Sequence, residues 1–558
     1  MNVSTYIINT LYKNGIDTYF VVTGGAIVPF INALSENTQV KYYCFQHEQS
    51  ASMAAEGYFR SCGKVAAVCV TSGPGVQNIV NGVCGCWYDS IPAFFITGQV
   101  NTSEDLSNLT CKPRQSGFQE MPVIQMFKDI TKKAVHVSNI SNISDNLHEL
   151  LTHLKTPRYG PVLMDLPVNI QMGTTDCIPE IVSISGHSLN DIYQISEYTK
   201  NAKRPLVIFG NGVKLSNATD AAMQWIEQYN IPFVVSWGAI DVCETQHRLR
   251  VGTIGVYGDR SANFAMQNAD LLIVIGSRLD TRQIGGNPKL FSRESKKIMV
   301  DIDENEINKL CEKGVNIDLK IVDDIQCFFD KVIINECTDY STWIHTLNDW
   351  KMKYGIEKAR EDDPVVYDFL HNFFETLPDD SIVIPDIGSN MVWTMQSAIL
   401  SKNQKLFTNG GNASMGFALP AAIGAAIGTN KHIHVIAGDG GFQMNIQELL
   451  TVKKYNLPID IKIINNGGYG IIKQFQDSYF NSNYVATSKT DVFGDRVDFE
   501  KIAHAYGVTS LQDVIIPETQ KIYPKLEFGN SLENMTPYID FEDDMIVEVP
   551  AKKKLGWN

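Results

Sequence analysis

The stretch His434-Val435-Ile436-Ala437-Gly438-Asp439-Gly440-Gly441-Phe442 carries an apolar run into a carboxylate set among glycines. The run reads as a strand, and residues 445–454 behind it read as a helix. Glycines at such a junction let the backbone approach phosphate oxygens, and exposed N–H groups at a helix start favour an anion. Asn466 follows Asp439 by 27 residues, at the end of the next apolar run, in Asn465-Asn466-Gly467-Gly468-Tyr469-Gly470. A carboxylate, an amide oxygen and the backbone carbonyl of Gly468 make half of an octahedral, all-oxygen shell. Mg²⁺ usually completes such a shell with water and phosphate oxygens of a bound molecule. Asp439, Asn466 and Gly468 are therefore the expected metal ligands.

Working outward, short β-branched runs alternate with longer helical patterns. The runs are 18–22, 65–71, 93–97, 162–165, 206–209, 233–236, 271–275, 298–301, 382–385, 434–437 and 459–464. Runs of this kind, ending in Gly or Asp and followed by helices, predict buried parallel strands in doubly wound α/β layers. Composition divides the chain into units at 1–175, 188–337 and 355–520, with a Pro-, Lys- and acid-rich arm at 521–558 that reads as irregular. A polar linker leads up to His187, and a charged helix over 340–360 enters the third unit. No short-period repeat is present, which excludes a solenoid.

The 558 residues carry a net charge of −15 and 44% hydrophobic residues, an ordinary soluble composition. That charge argues against a nucleic-acid or anionic-membrane partner, which needs a basic footprint. The eleven cysteines show no paired CxxC spacing and read as reduced, mostly buried thiols. Residues 1–14 form an amphipathic helical pattern without signal-peptide organisation. The longest small-apolar run, 416–428, is far shorter than the roughly 20 residues of a membrane span. A soluble, cytoplasmic protein is expected.

Two further segments carry chemistry. In His47-Glu48-Gln49-Ser50 an acid stands where a strand passes into a helix, a place where a carboxylate also interacts favourably with the helix dipole. In Ala413-Ser414-Met415-Gly416-Phe417 a bulky residue stands between small ones and can act as a wedge.

Together these segments resemble the acetohydroxyacid (acetolactate) synthase branch of the thiamine diphosphate decarboxylase superfamily, from about residue 3 to about residue 510. The pattern is followed at Gly24-Gly25-Ala26, His47-Glu48-Gln49, Gly73-Pro74-Gly75 with Asn78, Gly117-Phe118-Gln119-Glu120, Met415-Gly416-Phe417 and Lys473-Gln474-Phe475-Gln476. The resemblance implies three α/β domains: pyrimidine-binding, central and diphosphate-binding. It implies thiamine diphosphate and Mg²⁺ as cofactors, with each site shared between two chains of a homodimer or homotetramer. Glu48 then matches the glutamate bonded to N1′ of the aminopyrimidine, with Gln119 and Gly25 beside the reacting centre. Pro74, Asn78, Gly388, Ser389, Asn390, Ala413, Met415, Gly438, Gly440, Gly441, Tyr469 and Gly470 complete the expected cofactor contacts around Asp439, Asn466 and Gly468.

In the middle unit, Gly210, Gly212, Tyr257, Gly258, Gly276, Arg278, Asp301 and Asp323 resemble positions that hold FAD in the synthases, where the flavin is largely structural. Loss of the flavin, as in many relatives, is the alternative. Arg282 matches the arginine that grips an acceptor carboxylate, a task suited to a guanidinium fork. Phe118 and Phe475 would shape the acceptor side.

Several positions depart from the pattern. Thr23 replaces a proline, Gly388-Ser389-Asn390 replaces Gly-Gln-His, and Phe475 replaces a tryptophan. The tail resembles an offshoot associated with surface-sugar biosynthesis. The implied activity is decarboxylation of a 2-oxo acid, pyruvate above all, with transfer of the two-carbon unit to a carbonyl acceptor. That acceptor is a second 2-oxo acid or a nucleotide-linked keto-sugar. The alternatives are a non-ligating decarboxylase or oxidase and an inactive scaffold. Against the former, His47 has no adjacent histidine partner.

Overall fold

Apolar β-branched runs close into three parallel sheets, each buried on both faces as such sheets require. The computed structural model describes residues 1–111, 113–184, 193–334, 338–355, 364–494 and 497–552. The expected boundaries at 188 and 337, residues 185–187 of the linker and residues 356–360 of the charged helix lie outside the described residues.

The first sheet contains β1 (Thr18–Val21), β2 (Lys41–Cys44), β3 (Ala67–Val70), β4 (Phe94–Gln99), β5 (Lys133–His136) and β6 (Val162–Pro167), in the order β2-β1-β3-β4-β6-β5. A short β7 (Tyr193–Gln194) precedes the second sheet. That sheet holds β8 (Pro205–Phe209), β9 (Phe233–Val235), β10 (Arg250–Thr253), β11 (Leu271–Ile275), β12 (Lys296–Asp301) and β13 (Leu319–Val322), in the order β10-β9-β8-β11-β12-β13. β14 (Val332–Ile333) returns to pair with β7. The third sheet has β15 (Ile382–Pro385), β16 (Lys405–Leu406), β17 (Ile433–Gly438), β18 (Ile459–Asn465) and β19 (Leu511–Ile515), in the order β16-β15-β17-β18-β19. The chain is thus three doubly wound α/β units.

Strand order locates the sites. In a doubly wound sheet a crevice opens at the carboxyl ends of the two strands where the winding reverses. Counted within its own sheet, the middle unit runs 3-2-1-4-5-6, the order of dinucleotide-binding folds, and reverses between β8 and β11. The third unit runs 2-1-3-4-5 and reverses between β15 and β17. The first unit reverses between β1 and β3.

The first and third units share one apolar core. Its centre is the contact between helix Glu48–Cys62 and helix Ala418–Gly428. A methyl group on Gly57 would overlap the Ala421 carbonyl, and one on Gly424 would overlap the Ala54 carbonyl. Only hydrogen at both positions permits this approach.

The described part of the terminal arm is mostly irregular in backbone, as expected, yet it packs on the middle unit. β20 (Lys525–Leu526) and β21 (Met535–Thr536) form a small antiparallel hairpin. Leu526, Leu532, Met535 and Phe541 join the core of the middle unit. Arg260 donates to the Met535 carbonyl at 3.1 Å, and Leu526 N–H donates to the Val256 carbonyl at 2.7 Å. The anchoring side chains follow no helix or strand period, so their burial leaves no sequence pattern.

Candidate active site

At the reversal of the third sheet lies a cavity of about 430 Å³. Its walls include Gly388, Ser389, Asn390, Ala413, Met415, Gly438, Asp439, Gly440, Gly441, Asn466, Gly468, Tyr469 and Gly470. Asp439 opens a one-turn helix, Asp439–Gln443, directly at the strand end, whereas the sequence pattern placed the helix start further on. Its carboxylate is 2% exposed and accepts N–H bonds from Gly440 (2.7 Å), Gly467 (2.7 Å) and Gly468 (3.1 Å). Burial still pushes this acid up to about 6 against those donors. A buried carboxylate so perturbed is what a cation at the site would relieve.

The tandem asparagines divide their work. Asn465 donates through its amide to both Asp513 oxygens at 3.0 and 3.2 Å, while Asn466 faces the cavity. A side chain on Gly440 would strike the Tyr469 ring, so a glycine there keeps the cavity floor open. Asp439, Asn466 and backbone at Gly468 form a hard-oxygen set that fits Mg²⁺ with a diphosphate.

Asp386 was not legible in the sequence as a site residue. It follows β15, is fully buried, and accepts N–H bonds from Ile387 (2.6 Å), Gly416 (2.9 Å) and Ala418 (3.3 Å). It thereby straps the Met415 loop to the sheet, helped by the left-handed Ala413 (φ 56) and Gly416 (φ 84). Its signal is an aspartate directly after a buried strand. Asn390 uses its amide N–H groups structurally, on the Asp386 and Ile436 carbonyls at 2.8 and 3.1 Å. Tyr257, Arg282, Gln474, Phe475 and Lys525 line the remaining wall. Lys525, 6% exposed and held 2.9 Å from the Ser478 hydroxyl, is the second unforeseen member.

A second cluster lies at the reversal of the first sheet. Glu48 begins its helix and accepts from the Asn78 amide at 2.9 Å. His47 caps the same helix, its Nδ1 accepting from Gln49 N–H at 3.1 Å. Gln119 adopts φ 62 and packs on Gly73, while Glu120 gathers the N–H groups of Leu106, Ser116 and Gly117 and so shapes the preceding long loop. Gly25 and Pro74 are exposed on this patch, and Phe118 is 85% exposed. None of Glu48, Asn78, Pro74, Gln119, Gly25 or Phe118 lines the Asp439 cavity. Within one chain the Glu48 cluster and the Asp439 cavity are therefore separate.

The middle sheet's reversal opens a further cavity of about 200 Å³, bounded by Gly212, Tyr257, Gly276, Arg278, Asp301 and Arg282. Arg282 and Tyr257 face both cavities. Gly210 is buried against the Gly276 carbonyl, and neither it nor Gly258 borders the space. Asp323 is also outside the lining, paired with Lys331 at 2.8 Å. The position at a dinucleotide-type reversal, with glycine turns from β8 and β11, fits a nucleotide.

Comparison with known proteins agrees with this geometry. Residues 1–126, 192–332 and 386–528 match the N-terminal thiamine pyrophosphate-binding, central and C-terminal thiamine pyrophosphate-binding domains of thiamine pyrophosphate enzymes. The chain is 30% identical to the acetolactate synthase large subunit of Lactococcus lactis, covering 99% of this chain and 92% of that protein. The chain belongs to the thiamine pyrophosphate enzymes of acetolactate synthase type. Among these enzymes it is also 30% identical to the isozyme 2 large subunit of Escherichia coli (91% of this chain, 90% of that one). It is 28% identical to the chloroplastic acetolactate synthase 2 of Nicotiana tabacum (95% and 84%). This acetolactate synthase-like chain is thus a thiamine diphosphate-dependent carboligase. No helix among the described residues is long and apolar enough to cross a membrane.

Proposed function

We propose that this acetolactate synthase-like enzyme decarboxylates a 2-oxo acid, pyruvate first, and joins the remaining two-carbon unit to a carbonyl acceptor. The observation that carries the reading is the buried Asp439 carboxylate, with Asn466 and the Gly468 backbone beside it, at the winding reversal of the third sheet. These residues would hold Mg²⁺ and the diphosphate, with residues 355–520 as the diphosphate-binding unit and 1–175 as the pyrimidine-binding unit. Bound thiamine diphosphate supplies a nucleophilic carbon and an electron sink for breaking the bond to the carboxylate carbon.

The chain's own residues prepare that chemistry. Glu48, oriented by Asn78, holds a proton at the pyrimidine ring. Met415, braced through Asp386, fixes the cofactor's conformation. Gln119 and the Gly25 backbone flank the reacting carbonyl. Because Glu48 and Asp439 occupy separate half-sites, a homodimer, or a homotetramer built from two, completes each centre across chains.

Arg282, with Phe475 and Phe118, would hold the acceptor, either a second 2-oxo acid or a nucleotide-linked keto-sugar. FAD would occupy the cavity at Gly212 and Gly276 in a structural role. The enzyme acts in the cytoplasm on small molecules. ¹³C-labelled pyruvate offered with thiamine diphosphate, Mg²⁺ and each acceptor class should give a new C–C-joined product. Acetaldehyde or acetate alone would place the enzyme among non-ligating decarboxylases or oxidases, and no CO₂ release at all would leave a scaffold. The absorption spectrum of the purified protein reports the flavin.

A further inference from the structure

At the end of the third sheet opposite the cofactor cavity, His434 and Asp460, the second residues of β17 and β18, lie side by side in register. His432 precedes them on the same edge. His432 Nε2 lies 2.9 Å from Asp460 Oδ2, and the two imidazole rings are 4.8 Å apart. All three ligand atoms fall within 4.8 Å of one another.

His434 gives this cluster its direction. Its side chain is 8% exposed, and its Nδ1 has no hydrogen-bond partner although it is buried. That nitrogen faces Asp460 Oδ2 at 3.8 Å, too far for a hydrogen bond. The other ring nitrogen is 3.3 Å from the Ser381 hydroxyl, and the Phe373 ring packs edge-on at 5.5 Å, so the imidazole is held in one orientation. The Ser381 hydroxyl can either accept from or donate to Nε2, so Nδ1 faces the carboxylate as a lone pair in one tautomer and as an N–H in the other. In the first tautomer two acceptors face each other, an arrangement that a cation between them satisfies. Ligand bonds of about 2.0–2.2 Å place metal-bound N and O atoms roughly 3–3.6 Å apart, within a small side-chain rotation of the observed spacing.

We propose that His432, His434 and Asp460 bind one divalent transition-metal ion of the zinc, cobalt or nickel type. Two imidazoles select such ions over Mg²⁺, which suits the all-oxygen set at Asp439. Lys462, two residues along β18, places a positive charge near His434 that works against a second cation, so the two imidazoles and the carboxylate must supply the affinity. His434 on β17 and Asp439 directly after it are five positions apart, roughly 16 Å at strand spacing, so the two metals do not share ligands. Three protein ligands leave room for water, and the ion would clamp the start of two core strands.

Chelator-stripped wild-type protein, its diphosphate site then saturated with Mg²⁺ and thiamine diphosphate, is titrated with Co²⁺ and followed by visible absorption and calorimetry. One Co²⁺ per chain is expected, displaced by Zn²⁺. His432→Gln and Asp460→Asn, both at partly exposed positions, should each weaken binding at least tenfold while circular dichroism stays unchanged. The same titration on Asp439→Ala without thiamine diphosphate should still give one ion per chain, so this result does not depend on the cofactor reading. Absence of stoichiometric Co²⁺ binding, or binding unmoved by both substitutions, would overturn the proposal and leave an ordinary His–Asp pair.

Discussion

The Asp386 carboxylate accepts the backbone N–H of Gly416 at 2.9 Å, tying the end of β15 to the loop that carries Met415. Ile387 and Ala418 donate to the same group, and Asn390 bonds the Asp386 carbonyl. Asp386→Ala would leave three N–H groups without their acceptor inside the protein. Each orphaned buried donor costs about 1–3 kcal/mol. The expected outcome is a clear fall in denaturation midpoint, together with weaker thiamine diphosphate binding measured by calorimetry.

The same residue gives a pH signature. Burial raises Asp386 from its ordinary carboxylate range to about 6. Between those two values the folded chain binds more protons at this site than the unfolded chain. Its contribution to stability therefore declines as pH rises from about 4 to about 6 and is constant above that. In Asp386→Asn this component should vanish, so the variant's stability minus that of wild type should rise across the window. Urea midpoints at half-unit pH steps measure it, and a flat difference would contradict the assignment.

Much of this was readable beforehand, and the exceptions share causes. Every expected strand, from the 18–22 run to the 459–464 run, is present in a sheet. The strands missed in the three main sheets are their edges: β2, β5, β10, β13, β16 and β19. An edge strand is covered less completely than a central one, and β2 reads Lys-Tyr-Tyr-Cys with no fully buried residue. Such a segment does not form the continuous apolar run that marks a central strand. Asp439 and Asn466 stood out because glycines and strand ends frame them. Asp386 and Lys525 did not, since one acts by bracing a loop and the other arrives through a hairpin with no periodic pattern. Asp323 was drawn from resemblance alone, and its ion pair with Lys331 holds it out of the cavity.

Gly57 and Gly424 are predicted to be intolerant of even one methyl group. In either alanine variant the new carbon would meet a backbone carbonyl of the facing helix, which has no rotamer through which to withdraw. Forced separation of packed elements costs about 1–3 kcal/mol. Equilibrium urea unfolding should show that loss, with lowered activity because the helix that moves begins at Glu48.

Lys525→Met should separate the two half-reactions. The lysine lines the same cavity as Arg282 and Phe475, bonds the Ser478 hydroxyl and lies 3.4 Å from the Glu527 carboxylate. CO₂ release from pyruvate is expected to persist, while the KM for an anionic acceptor rises several-fold or more. Arg282→Ala should act in the same direction. Equal loss of both half-reactions would instead assign Lys525 to support of the floor.

The separation of Glu48 from the Asp439 cavity leads to the most decisive test. Glu48→Gln preserves an oxygen acceptor for Asn78, so folding and cofactor binding should be retained while turnover falls by about 10²-fold or more. Asp439→Asn should fail separately, through the metal. If each centre takes Glu48 from one chain and Asp439 from its partner, a mixed dimer of these two variants contains one site with both defects and one site with neither. Random co-assembly makes half of the dimers mixed, so about one quarter of wild-type activity should return when the inactive chains are refolded or co-expressed together. Sites contained within single chains would give no recovery at any mixing ratio. Recovery would show that the two half-sites in this chain belong to two different centres.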